Sequence, residues 1–221
     1  MEKMPYQPVA DRVSTVASNR ASVARTDWQR ALPHLAAGAV LLRELRDDDA
    51  RALCALLTTE EASRFISPPP TSVEGFERFI AWAHRQRAAG TYVCFAVTLR
   101  GRDEAIGIFQ LRRLDAGFTL GEWGFAIGSP FWGTGIFADG ADLVLEFAYE
   151  TLGVHRLEAR CAVKNGRGNG ALRKIGAVQE GVLRKSFLRN GEYLDQVLYG
   201  VIEDDWRASR TPVRLDRMDI H

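Results

Sequence analysis

Gly128-Ser129-Pro130-Phe131-Trp132-Gly133-Thr134-Gly135 separates a strand-like apolar run, Phe118 to Ile127, from a strongly amphipathic helical run that ends at Gly153. A glycine-rich turn at a helix start leaves backbone N–H groups without intrahelical acceptors, and the positive end of the helix dipole adds to their pull on an anion. A diphosphate fits such a cradle. Two named phosphate signatures fail here. Gly-x-x-x-x-Gly-Lys-Ser/Thr needs a lysine that this turn lacks, and Gly-x-Gly-x-x-Gly is not completed after Gly135. Taken alone, the turn also suits an ordinary α/β protein, so its surroundings decide.

Downstream, Ile136, Gly140, Leu143, Val144, Phe147 and Thr151 fall on one helical face, and Gly153 suits the left-handed residue that ends a helix. Val154 to Val163 then alternates Leu157, Ala159, Cys161 and Val163 with Arg156, Glu158 and Arg160, the period of a strand. A short helix follows, with Asn169 as its expected cap and Gly176 as its stop. Val178 to Leu188 and Tyr193 to Ile202 form two strands joined across Arg189-Asn190-Gly191-Glu192, a hairpin signal.

Upstream, Tyr92 to Leu99, Ala105 to Arg113 and Phe118 to Ile127 read as an antiparallel meander. Ala39 to Leu45 is β-like, and Asp47-Asp48-Asp49 offers capping and first-turn carboxylates to a helix through Leu57. After the break at Ser67-Pro68-Pro69-Pro70-Thr71, Ser72 to Ala89 resumes helical spacing. The order β-α-α-β-β-β-α-β-α-β-β predicts an α/β (α+β) fold. Its sheet is mixed and mostly antiparallel, with flanking helices and one parallel crossover directly after the anion-binding turn. Residues 1–27 show no sustained period and are expected to form a loosely ordered arm, 28–206 the folded domain, and 207–221 a tail.

Composition narrows the partners. Lys and Arg total 29 against 28 for Asp and Glu, and a net charge of +1 gives no general grip on nucleic acid or an acidic membrane, so neither is expected as a partner. No apolar stretch approaches membrane-spanning length. Cys54, Cys94 and Cys161 have apolar neighbours and no metal-ligand spacing, which points to buried thiols, no metal, and a reducing, cytoplasmic compartment. Exposed strand edges in the C-terminal hairpin would permit a homodimer.

Two separated blocks carry a family resemblance. The first is Glu122-Trp-Gly-Phe-Ala-Ile with Phe131-Trp132-Gly133-Thr134-Gly135-Ile136-Phe137; the second is Asn165-Gly-Arg-Gly-Asn-Gly-Ala-Leu-Arg-Lys-Ile-Gly176-Ala, followed by Glu180-Gly181, Arg184, Asn190-Gly191 and Asp195. In order and spacing they resemble the GNAT acetyltransferases, within them the branch of the ribosomal-protein-alanine N-acetyltransferases. The resemblance implies acetyl-CoA as co-substrate and an amine acceptor, a protein N-terminus or a small molecule. It places cofactor contacts at Phe125, Ala126 and Ile127 by backbone, at Trp132, Gly133, Thr134, Gly135, Ile136 and Phe137 around the pyrophosphate loop, and at Asn165. Lys164, Arg167, Arg173 and Lys174 cluster nearby in sequence and could meet the 3′-phosphate or form a solvated face. Three positions depart from the family pattern: Phe137 where a small residue is usual, Gly168 where serine is common, and Leu172 where many members carry a thiolate-protonating tyrosine.

Acetyl transfer from a thioester can proceed by direct attack of a neutral amine on a polarised carbonyl, in a ternary complex and without an enzyme nucleophile. Glu122 shares one side of its strand with Gly124 and Ala126 and is the first candidate base; its alternative role is a structural pair with a neighbouring-strand arginine. Asp195, in a Gly-x-x-x-Asp pattern with Gly191, is a base candidate or a hairpin brace. Tyr193, on the same face, is a candidate acid or a packing residue, and Ser186 is a weaker hydroxyl candidate. The acceptor is expected between the first two helices and the last hairpin, bordered by Phe65, Ile66, Pro68 to Pro70, Trp82 and the Arg189 to Glu192 turn. A non-catalytic CoA-binding module is the alternative, motivated by Gly168 and Leu172.

Overall fold

The computed structural model describes residues 27–210; the expected arm up to residue 26 and the tail from residue 211 lie outside the described residues. Eight strands form: β1 (Leu35–Ala37), β2 (Val40–Glu44), β3 (Tyr92–Leu99), β4 (Arg102–Arg113), β5 (Leu120–Ile127), β6 (Arg156–Ala162), β7 (Val178–Arg189) and β8 (Glu192–Ile202), of which β3, covered on both faces, is a continuous apolar run from Tyr92 to Val97. They form one sheet in the order β1-β2-β3-β4-β5-β6-β8-β7, in which β5 and β6 run parallel and every other pair antiparallel. The crossover between the parallel strands carries helix α4 (Ile136–Glu146), continued by a π-helical turn over Phe147–Leu152. Gly153 ends that turn at φ +73°, a left-handed stop that its sequence position predicts.

Helices cover both faces. On one, α1 (Asp49–Leu57) and α3 (Val73–Ala88) lay Leu53, Leu57, Phe76 and Ile80 on Tyr92, Cys94, Ala96 and Ile108. The spacing of Phe76, Ile80 and Ala83 puts all three on one stripe, and burying a side chain the size of Phe76 contributes roughly 2–3 kcal/mol. Ser72 starts α3, its Oγ accepting from the Gly75 amide at 3.1 Å. On the other face α4, the π turn, α5 (Gly166–Lys174) and Trp206 of α6 (Glu203–Arg210) close the larger core over Phe95, Phe109, Leu111, Trp123, Leu157 and Tyr199. Among the described residues, no helix is long and apolar enough to cross a membrane.

Four local readings change, the first being α6 (Glu203–Arg210), a helix absent from the expected order that runs into the start of the expected tail. The three-residue β1, too short to show a period, adds a strand before the first one expected from the sequence, and α2 (Glu60–Ser63) adds a short helix. The cap of α5 is Asn165, whose Oδ1 accepts from the Gly168 amide at 2.9 Å, and not Asn169. Asn169 is instead 3% exposed, because its side chain satisfies the backbone that bends out of β6: Nδ2 donates to Ala162 O at 2.9 Å and to Asn165 O at 2.7 Å, while Oδ1 accepts from Tyr199 OH at 3.0 Å. The hairpin turn holds Asn190 at φ +49° and Gly191 at φ +79°, the two left-handed residues that a tight β7–β8 connection requires.

Candidate active site

The parallel strands β5 and β6 pair at three positions only, Leu120 with Arg156, Gly121 with Leu157 and Glu122 with Glu158. Past Glu122 they part. β5 stays on β4 as far as Ile127 opposite Gly107, and its end packs on α1, where a Cβ on Gly128 would lie 3.0 Å from Leu56 Cδ2. β6 follows β8, and the Val163 amide continues that pairing to Asp195 O at 2.9 Å. The Gly128 amide donates to Ile106 O at 2.9 Å, toward β4, so the alternation of an antiparallel ladder turns the main-chain groups of Phe125 and Ile127 toward the gap. Trp132 Nε1 takes the Ile127 carbonyl at 2.7 Å, leaving the Ile127 N–H and both main-chain groups of Phe125 facing the opening.

The glycine turn follows directly. Gly133 and Gly135 sit at φ +77° and +89°, which only glycine adopts without strain, and the Thr134 hydroxyl ties the turn by donating to Phe131 O at 2.7 Å. Among the described residues, the five amides from Gly133 to Phe137 donate to no acceptor, whereas Ala138 and Asp139 return to Gly135 O at 2.9 and 3.2 Å. A row of open donors at the start of α4 suits a diphosphate. Phe137 braces the turn from beneath: its ring centroid lies 4.5 Å from that of Phe125 and 5.9 Å from that of Phe109. The large residue at this position is thereby accommodated by packing.

These elements enclose a cleft of about 610 Å³. Phe125, Ala126, Ile127, Trp132, Gly133, Gly135, Phe137, Asn165 and Lys174 line it, as does Arg167, whose guanidinium lies 4.4 Å from the Trp132 ring centroid. Thr134, Ile136 and Arg173 do not. Thr134 has its hydroxyl on Phe131 O, Ile136 is 8% exposed in the core, and Arg173 points its exposed side chain elsewhere on α5.

Sequence reasoning missed Gly166, Gly170 and Ala171 on α5 and Glu61, Ala62 and Arg64 beyond α1. The first group had a signal: three glycines in a nine-residue helix cost roughly 1 kcal/mol each against alanine, which argues for a face that must stay bare. Gly168 has a packing reason, since a Cβ there would stand 2.7 Å from Cys161 Sγ and 2.6 Å from Asn165 Nδ2. Leu172 is 1% exposed and belongs to the core.

The candidate catalytic groups lie outside the cleft lining. Glu122 forms an ion pair with Arg112, its partner on β4. Asp195 accepts from the Lys185 amide at 2.7 Å and so braces the irregular stretch of β7 in which Lys185 reaches φ +49°. Tyr193 is 60% exposed opposite Leu188. The Ser186 hydroxyl donates to Leu183 O at 3.0 Å. Cys161 is buried, and burial pushes its thiol up to about 11, the opposite of what a nucleophile needs. No group of residues suited to hold a metal ion occurs among the described residues.

Residues 39–178 match the family model of the acetyltransferase (GNAT) domain. Over 176 residues, 77% of this chain and 97% of its relative, the sequence is 26% identical to the uncharacterized N-acetyltransferase YoaA of Bacillus subtilis (strain 168). Over 108 residues, 48% of this chain and 56% of the other, it is 26% identical to the ribosomal protein uS5-alanine N-acetyltransferase of Escherichia coli (strain K12). Among solved structures, Mycobacterium smegmatis RimJ in complex with CoA-disulfide shares the fold, with a TM-score of 0.69 over 76% of this chain and 83% of that one at 19% identity. A glycine turn between parted parallel strands and a matching domain model over most of the described residues lead to one conclusion: the chain belongs to the GNAT acetyltransferase family.

Proposed function

We propose that the protein is an acetyl-CoA-dependent N-acetyltransferase that moves the acetyl group to a primary amine by direct attack in a ternary complex. The observation that carries this reading is the continuity of one cleft from the gap between β5 and β6 to the open amides of Gly133 to Phe137. The cleft suits the pantetheine and the diphosphate of the co-substrate. The pantetheine amides pair with Phe125 and Ile127 in the manner of an added strand, the diphosphate rests on the turn, and Arg167 and Lys174 supply positive charge that the turn itself lacks.

In the reaction the amine nitrogen forms a bond to the thioester carbonyl carbon and the carbon–sulfur bond breaks. The amine's proton leaves to a base, and the thiolate leaves with a proton from solvent or an acid. A main-chain N–H at Phe125 or Ile127 stabilises the oxyanion. Glu122 stands on the Ala126 side of β5 but about 13 Å along the strand from that residue, beyond the reach of one water, so it serves as base through a chain of waters. Asp195 and Tyr193 act on the hairpin's geometry rather than on the proton. Initial rates with both substrates varied give intersecting lines for a ternary complex; parallel lines contradict direct attack. A CoA-binding module without transfer is the second reading, favoured by the engagement of Glu122 by Arg112. It is sustained if acetyl-CoA binds and no amine turns over.

A further inference from the structure

The cleft carries four charged side chains, and they divide between the two sides of the sheet. Arg167 and Lys174 come from α5, on the side of the glycine turn and its open amides. Glu61 and Arg64 come from the segment that follows α1, on the opposite side of β5, where they share the cleft wall with Ala62, Phe65 and Ile66. Glu61 and Arg64 are three residues apart on one helical turn, so their side chains emerge about 5–6 Å from each other. Neither forms an ion pair among the described residues, and the Arg64 guanidinium instead lies 5.2 Å from the Phe65 ring centroid. The segment is anchored from the far end of the sheet, because Arg189 of β7 donates through Nη2 to Ser63 O at 2.8 Å. The anchored backbone therefore presents two exposed, opposite charges one turn apart at the cleft, with no ion pair between them.

From this we infer that the acceptor is an amine that itself bears an anionic group, both carried on an apolar stem. The proposal rests on the transferase reading of the same cleft. Glu61 receives the incoming ammonium, whose proton passes to solvent before attack, and Arg64 takes the anion, a carboxylate that its planar fork pairs with in two-point fashion. Phe65, Ile66 and Ala62 cover the stem. The phosphates of acetyl-CoA do not need Arg64, since the turn amides and the α5 cations stand on the other side of β5. A neutral amine leaves Arg64 unanswered, and a diamine sets a second cation against it, so the pair discriminates by repulsion as well as attraction.

The same chemistry can come from a free amino acid or from a peptide N-terminus with an acidic second residue, and the probes separate these sources. Turnover is measured for L-leucine against L-leucinamide, for Ala-Asp-Ala-amide against Ala-Asn-Ala-amide, and for putrescine. The expected result is kcat/KM at least about 10-fold higher for the anionic member of one pair, and putrescine below both. In Arg64→Ala the preference shrinks to within about twofold through the acceptor's KM, and in Arg64→Glu it inverts toward putrescine. Turnover without charge preference, or an Arg64→Ala effect confined to the KM of acetyl-CoA, overturns the acceptor proposal alone. Acetyl-CoA binding with no turnover of any probe overturns the transferase reading and this proposal together.

Discussion

Glu122 and Glu158 face each other across the last registered position of the parallel pair, and the strands separate immediately beyond them. Two carboxylates on adjacent strands repel, and each is held by an arginine: Arg112 on Glu122, and Arg156 on Glu158 and Glu180. The row places Glu122 at the apex of the gap, where a base acting through water would stand. Glu122→Gln is expected to lower kcat by about 100-fold or more, with the acetyl-CoA dissociation constant unchanged in calorimetry. Unaltered kcat removes Glu122 from the mechanism.

The glycine turn makes a separate prediction. Gly135→Ala places a Cβ at φ +89°, where space is open but the backbone is strained by roughly 1–2 kcal/mol. Relaxation of that strain turns the neighbouring amides away from their shared focus. Acetyl-CoA binding should weaken by at least about 10-fold, while the unfolding midpoint drops by only a few degrees.

Arg167 and Trp132 join α5 to the turn. Arg167→Ala removes a cation from the cleft and a contact that is worth about 0.5–1 kcal/mol at an exposed site. The expected outcome is weaker acetyl-CoA binding with a steeper loss in low salt than in high salt, and little change in the melting temperature. Equal loss at all salt concentrations would falsify a phosphate-facing role for Arg167.

The knot at the root of α5 governs stability. Tyr199→Phe leaves the buried Asn169 Oδ1 without its donor, a change expected to cost about 1–3 kcal/mol in denaturant unfolding. Asn169 Nδ2 keeps its bonds to Ala162 O and to Asn165 O, which hold the cleft-lining Asn165 in place, so catalytic parameters at low temperature should move far less than stability.

Thiol chemistry separates direct attack from an acetyl-enzyme. Burial raises the Cys161 thiol from 9.0 to about 11, so in the folded protein its thiolate is scarce at neutral pH, and alkylation accelerates only as pH climbs toward that value. The sign for stability follows. The unfolded chain releases this proton first, so the folded state keeps the full contribution below pH 9.0 and loses it as pH rises toward about 11. Cys161→Ala is expected to flatten that alkaline decline in an unfolding titration and to retain turnover.

Much of this architecture was legible in the chain because its signals are local. The meander, the αL stop at Gly153, the Asn190-Gly191 turn and the glycine cradle each depend on a few adjacent residues. Gly133 and Gly135 are marked by the glycine turn and Asn165 by the family resemblance, and all three line the cleft. What could not be read is non-local. A neighbouring-strand arginine is an open alternative for Glu122 in the sequence, but which arginine it is, and the arrival of Glu61 and Arg64 at the cleft, depend on strand register and on α1 docking over β4. Asn169 and Asn165 are both good caps by residue type. Only the bend out of β6, which demands a buried amide beneath it, assigns Asn165 to the helix and Asn169 to the core.

The central claim is that the amides of Gly133 to Phe137 receive the diphosphate of acetyl-CoA. A titration of ¹⁵N-labelled protein with CoA, followed through its amide resonances, tests it most directly. The account predicts the largest proton shifts, downfield as each N–H gains a charged acceptor, at residues 133–137, with smaller shifts at Phe125 and Ile127 along the parted strand. Saturable binding that leaves those five amides unmoved would contradict it.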